Sequence, residues 1–174
     1  MSTNWVMDLG HGTREEKEAF LKLHADKNVL LDLTCFDPQD FYARFPQLKG
    51  VCSTLLSQNN KCEVHFRPGF ETGSALLTEN GWVPHLTSYT TPGFVVARTL
   101  ATIINEAFFA FEEKTASQAD IDRAMRFGVN YPRGPFAWAQ GKEDVVVQLL
   151  ETLMAKSGDD RYAPADSLRK AAMR

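Results

Sequence analysis

The chain has 174 residues, 24% charged and 44% apolar, with 19 basic against 22 acidic residues and a net charge of −3. A folded chain of this size buries roughly 70% of its extended surface, enough for a core without disulfides or metals, which excludes an intrinsically disordered chain. No block of five or six like charges and no basic stripe is present, which argues against a nucleic-acid binder.

Residues 5–9 (WVMDL) read as a short buried strand. Thr13 with Glu16 three residues on matches a capping box, and the helix it opens runs to about Leu23 or Ala25. The run NVLLDLTCF is rich in strand formers and ends at Asp37-Pro38. Strand, helix, strand implies a parallel pair with a crossover helix. One or two helical turns are expected over 39–45, strands over 48–56 and 62–66, a helical turn over 74–79 and a strand over 82–87.

The pattern changes at TTPG. Thr91 reads as an N-cap and Pro92 as a first helical residue, opening a helix of about 22 residues, about 33 Å long, that ends near Glu113. It is apolar on more than one face, as expected at a core or a subunit interface. Arg98, Asn105 and Glu106 interrupt the apolar stretch 94–111, which argues against a membrane span. Ser117 caps a further helix that stops at Gly128, with Ile121, Ala124 and Met125 as its inner stripe. A last long helix over 142–156 closes at Gly158, and a short one can form after Pro164. The domain boundary is expected at 90/91, with an α/β domain over 1–90 and a helical domain over 91–174.

The N-terminus MSTNWVMDLG lacks the basic stretch of a secretory signal. Cys35, Cys52 and Cys62 are odd in number and read as free thiols in a reducing, cytoplasmic setting. Strand, Gly10-x-Gly12, helix invites a dinucleotide reading. However, Glu15 stands at the third glycine position and Glu16 beside it, where two carboxylates would oppose a pyrophosphate. The plain reading is a βα turn with a capping box.

The stretch TTPGFVVARTLATIINEAFFAFEEKTASQADIDRAMRFGVNYPRGPFAWA is of another kind. It closely resembles the C-terminal domain of the 3-hydroxyacyl-CoA dehydrogenase family. The matching residues are Thr91 to Val96, Arg98, Asn105 to Ala107, Ala116, Ser117, Asp120 to Asp122, Ala124, Met125, Gly128, Tyr131, Pro132 and Gly134 to Phe136. The tail (Arg161-Tyr162, Pro164, Leu168 to Lys170) is also similar, and together these cover about half the chain. The N-terminal half resembles the family's α/β domain without its nucleotide-binding βαβ unit. The resemblance implies α/β plus all-α: a truncated, reduced Rossmann-like parallel sheet followed by a 6-phosphogluconate-dehydrogenase-like helical domain. Such a pair also resembles the second half of long 3-hydroxybutyryl-CoA-type dehydrogenases.

The family uses NAD and a histidine base oriented by a glutamate. Carried over position by position, the base falls on Cys52, a poor substitute for imidazole. The glutamate falls on Glu63, and a substrate-holding asparagine falls on Ala97. His65, two residues from Glu63, is a candidate displaced base; a strand histidine satisfied by its neighbours is the plainer reading. Catalytic candidates are therefore Glu63 and His65, with Cys52 and Ala97 degenerate; no metal site and no cofactor are expected for the chain alone. A retained acyl-CoA site would lie between the halves, bordered by Pro92, Gly93, Phe94, Tyr131 and Arg133, with Arg98 or Arg133 meeting an anion.

Two functions follow. One is a family member that has lost its catalytic set and acts as a dimerisation or acyl-CoA-binding module, or as the C-terminal half of a larger dehydrogenase. The other is a divergent NAD-dependent 3-hydroxyacyl-CoA dehydrogenase of fatty-acid or phenylacetate-type degradation. Expected partners are a second copy through Ile103, Ile104, Phe108 and Phe111, acyl-CoA, and an N-terminal dehydrogenase half, with no nucleic acid and no membrane.

Overall fold

The computed structural model describes residues 4–174. These form two compact units that divide between Ala97 and Arg98. The first is built on a five-stranded sheet in the order β1-β2-β3-β4-β5. The strands are β1 (Trp5–Asp8), β2 (Asn28–Asp32), β3 (Leu48–Ser53), β4 (Lys61–Phe66) and β5 (Val83–Leu86). Helices α1 (Arg14–Leu23), α2 (Pro38–Arg44) and α3 (Ser74–Glu79) connect them.

The β1–β2, β2–β3 and β4–β5 pairs are parallel and β3–β4 is antiparallel, so the sheet is mixed rather than wholly parallel. The cause is loop length. A parallel return takes a dozen or more residues, and Ser53 and Lys61 are too close in the chain for one. The outer strands, β1 and β5, have four residues each, and β5 carries Pro84.

The capping box that opens α1 is closed in both directions: Thr13 Oγ1 accepts from Glu16 N at 3.2 Å, and Glu16 Oε2 accepts from Thr13 N at 2.8 Å. One apolar cluster on the sheet joins Leu21, Val29, Leu31, Leu33, Phe41, Leu48, Val51 and Phe94. Another joins Leu30, Cys52, Cys62, Val64, Phe66 and Leu77. Lys17 is 2% exposed, and its Nζ donates to Asp8 Oδ2 at 2.9 Å and to Gly10 O at 2.6 Å, which ties down the β1–α1 turn.

The helical unit takes most of α4 (Val96–Glu112), then α5 (Gln118–Gly128), α6 (Pro135–Ala139), α7 (Glu143–Ser157) and α8 (Asp166–Ala172). Asn105 is 1% exposed; its amide donates to Ala163 O and accepts from Ala165 N, both at 2.9 Å, fixing the segment before α8. As the sequence suggests, α7 stops at Gly158, in the left-handed region with φ of 66°.

The structure departs from the sequence reading in three further places. α4 starts at Val96, not at Thr91. Gly93 and Phe94 have φ of 71° and 48°, which no helix accommodates, and Thr91 Oγ1 is buried without a partner, so it caps nothing. The segment before α4 packs into the sheet: Gly93 N donates to Thr34 O at 2.8 Å, and Phe94 is fully buried. This places the division seven residues beyond the expected one. In α5 none of Ile121, Ala124 and Met125 is buried. In α4, Ile104 is fully buried and Phe108 is 4% exposed within the single chain, so the core consumes them; of the four residues expected at a dimer interface, Ile103 and Phe111 keep surface.

Gly50 sets a tight approach between β3 and its neighbours. A Cβ there would lie 2.5 Å from Phe66 Cε1 and 2.8 Å from Leu30 Cδ1. Gly50→Ala is expected to cost about 1–3 kcal/mol through overpacking, read as a lower urea midpoint at unchanged slope. An unchanged midpoint refutes this packing.

Candidate functional site

The site lies in the sheet unit, at the ends of β3 and β4. Asp32, 1% exposed, closes β2: its carboxylate accepts from Thr34 N at 2.8 Å, Thr54 N at 2.6 Å and Thr54 Oγ1 at 2.5 Å. Burial raises its pKa above the ordinary carboxylate value, against those hydrogen bonds. Thr34 Oγ1 donates to Ser53 Oγ at 3.2 Å, which fixes the Ser53 hydroxyl at the end of β3.

Ser53 pairs with Glu63 across β3–β4, and Glu63 pairs with His85 across β4–β5. The three residues stand in one row on neighbouring strands. They line a pocket of about 360 Å³ together with Leu56, Cys62, Lys61, Val96 and Ala97. Its floor is apolar, and hydroxyl, carboxylate, imidazole and ammonium groups stand around it.

Both carboxylate oxygens of Glu63 are engaged. Its Oε1 accepts from Val95 N at 3.2 Å, and its Oε2 accepts from Val95 N at 3.1 Å and Val96 N at 2.8 Å. A carboxylate from β4 thus caps the start of α4, where the helix dipole favours negative charge. His65 is likewise engaged: its Nδ1 donates to Thr87 O at 2.9 Å, and its ring meets Tyr42 edge to face.

Cys52 is fully buried and alternates to the other face of β3 from Ser53. Its thiol donates to Leu31 O at 3.5 Å, and it packs with Cys62, Val64 and Leu77. The residue facing Glu63 is Ser53, and Cys52 stands opposite Val64. Ser53 and His85 are the pocket residues that the sequence reading did not single out. Only strand register brings them together, and no local motif marks either.

The substrate-binding candidates are divided between the two units. Pro92, Gly93 and Phe94 are buried in the sheet unit. In the helical unit, Arg98 donates through Nε to Tyr162 Oη at 3.0 Å with its guanidinium over the Tyr162 ring, a structural pairing. Tyr131 stacks on Trp138 with ring centroids 5.3 Å apart, and Arg133 lines a groove beside α5.

The Gly10–Gly12 turn does not fit a dinucleotide. The amides that would meet a pyrophosphate are used internally: Gly10 N donates to Asp8 Oδ1 at 2.9 Å and Thr13 N to Glu16 Oε2. The Glu16 carboxylate lies where a Gly12 Cβ would come within 2.8 Å of it. Among the described residues no group of three or more His, Cys, Asp or Glu could hold a metal ion, and no helix is long and apolar enough to cross a membrane.

Comparison with known proteins agrees with this architecture. Residues 93–173 match the family model of the 3-hydroxyacyl-CoA dehydrogenase C-terminal domain. A 3-hydroxyadipyl-CoA dehydrogenase of Escherichia coli K12 is 49% identical over 83 residues, 47% of this chain and 18% of that protein. A probable 3-hydroxybutyryl-CoA dehydrogenase of Bacillus subtilis is 40% identical over 80 residues, 45% of this chain and 28% of that protein. The matched part is under a third of the length of these relatives. The crystal structure of a 3-hydroxybutyryl-CoA dehydrogenase from E. coli K12 superposes with a TM-score of 0.72 at 33% identity, over 83% of this chain and 31% of that one. An (S)-3-hydroxybutyryl-CoA dehydrogenase from Ralstonia eutropha superposes with a TM-score of 0.77 over 96% of this chain and 64% of that one; at 24% identity this shows the fold alone.

Two outcomes test the site. Glu63→Ala strips the cap from Val95 and Val96 and is expected to cost about 1–2 kcal/mol of stability in a urea titration. Burial, then the Asp32 charge, push the Cys62 thiol up to about 11 from its ordinary value of 9.0. The thiol therefore ionises first in the unfolded chain, so stability complete below pH 9 is expected to fall as pH rises toward about 11; Cys62→Ser, compared across that window, should flatten the fall. The helix that Glu63 caps lies in the segment that matches the C-terminal domain of the 3-hydroxyacyl-CoA dehydrogenase family.

Proposed function

We propose that this chain is a family member without hydride-transfer activity of its own, which binds the acyl part of an acyl-CoA in the Ser53–Glu63–His85 pocket. It acts as a binding module or as the C-terminal half of a larger dehydrogenase. One observation carries this reading: the residue facing Glu63 is a serine, and Glu63 itself is spent on capping α4. General-base work needs an ionisable group within hydrogen-bond reach of the substrate hydroxyl. The Ser53 hydroxyl can instead hold a carbonyl oxygen above the apolar floor formed by Leu56, Cys62 and Ala97.

A second copy of the chain packs on the helical unit. The support is that Ile103 and Phe111 keep surface and that Ile103, Ile121 and Met125 line an apolar groove of about 360 Å³. A second reading, an NAD-dependent dehydrogenase completed by another chain, is favoured by His85, an exposed imidazole in the pocket beside Glu63.

Calorimetry with acetoacetyl-CoA and, separately, NADH distinguishes them. Acetoacetyl-CoA is expected to bind and NADH to give no heat, with binding weakened at least ~10-fold by Ser53→Leu, which fills the pocket mouth. Binding of NADH, or NAD-linked oxidation of 3-hydroxybutyryl-CoA that His85→Ala abolishes, overturns the first reading in favour of the second.

A further inference from the structure

The helical unit carries a further concavity, apart from the sheet pocket and the Ile103 groove. Helices α5 and α6 and the chain between them enclose a groove of about 560 Å³, lined by Arg123, Arg126, Phe127, Arg133 and Asp122 among others. Its charges are unbalanced. Arg123 Nη1 pairs with Asp120 Oδ1 at 3.0 Å, but these side chains are 67% and 57% exposed, so water weakens the bond. Among the described residues, Arg126 and Arg133 have no carboxylate partner.

Asp122 is the carboxylate of the groove, and it is committed elsewhere. Its Oδ1 accepts from Phe136 N at 2.9 Å and its Oδ2 from Ala137 N at 3.1 Å. Beyond the groove, burial and then the Arg133 charge lower the pKa of Lys142. Three arginines thus line the groove beside one carboxylate, Asp122, whose oxygens face backbone amides. Phe127 also lines the groove, 76% exposed, with the Arg126 guanidinium 5.4 Å from its ring centroid.

We propose that this groove binds the phosphate end of a nucleotide, with Arg126 and Arg133 on the phosphate oxygens and Phe127 stacked on the base. A guanidinium presents planar paired donors that match phosphate oxygens. An exposed aromatic beside an arginine is a stacking platform for any base. A groove of this volume takes a small molecule rather than a bare ion. The same chemistry is offered by a free nucleoside diphosphate and by the phosphorylated adenosine of coenzyme A. The assignment does not rest on the acyl-CoA reading, because a nucleoside diphosphate carries no acyl chain.

The test is calorimetry at low salt on the whole chain with ADP, pyrophosphate and coenzyme A as probes. ADP is expected to bind about 10-fold tighter than pyrophosphate, the margin of one stacked base. Arg126→Gln with Arg133→Gln should weaken both at least ~10-fold, in line with the loss of charge-assisted bonds. Phe127→Ser should remove the advantage of ADP and leave pyrophosphate unchanged. Melting curves confirm that the variants, all at surface positions, stay folded. Coenzyme A that displaces ADP identifies it as the source of the phosphate; ADP that coenzyme A does not displace identifies a free nucleotide. The proposal is overturned if neither ADP nor pyrophosphate binds at millimolar concentration, or if the arginine pair leaves their binding unchanged. It is equally overturned if an oligoglutamate peptide binds where ADP does not, which would assign the groove to an acidic protein segment.

Discussion

The structure turns on one carboxylate. Glu63 reaches from β4 to the amides of Val95 and Val96 and caps the helix start. Helix starts leave amides without partners, and a carboxylate there satisfies them and meets the positive end of the helix dipole. Satisfying them from another strand holds Val96 and Ala97 beside β4 and so forms one wall of the pocket. The same bonds engage both carboxylate oxygens of Glu63. Glu63 is thereby part of the scaffold that positions α4.

That anchoring works with the backbone before it. Gly93 and Phe94 both take left-handed conformations, and Phe94 drives its ring into the sheet cluster. A non-glycine residue in that region is strained, and complete burial of a phenyl ring offsets the cost. The chain therefore reaches Val96 through a corner packed on the sheet. Thr91 and Pro92, which look like a helix start, belong to that corner.

How much of this was legible in the sequence depends on how local the signal is. The α1 capping box at Thr13 and Glu16 and the stop of α7 at Gly158 are short-range features, and the structure has them where the residues suggest. The family match after Gly93 is a dense run of ordered residues and was equally plain. What the sequence concealed is register. A strand alternates faces with every residue, so one step separates Cys52, buried with Leu77, from Ser53, facing Glu63. His85 is a lone histidine until β5 lies against β4. Arg123 and Arg126 share a helix face by spacing alone, but Arg133 joins them only because the chain folds back between α5 and α6.

The two outer strands of the sheet have a consequence for how the protein behaves at high concentration. An exposed strand edge is a row of unpaired amides and carbonyls that invites another chain to add to it. β1 offers four residues and ends in an aspartate bonded to a buried lysine, and β5 offers four with a proline that has no amide hydrogen to give. Neither edge presents a run long or regular enough to template a growing sheet. Concentrated solutions of this chain are thereby protected against β-aggregation by the brevity of its margins.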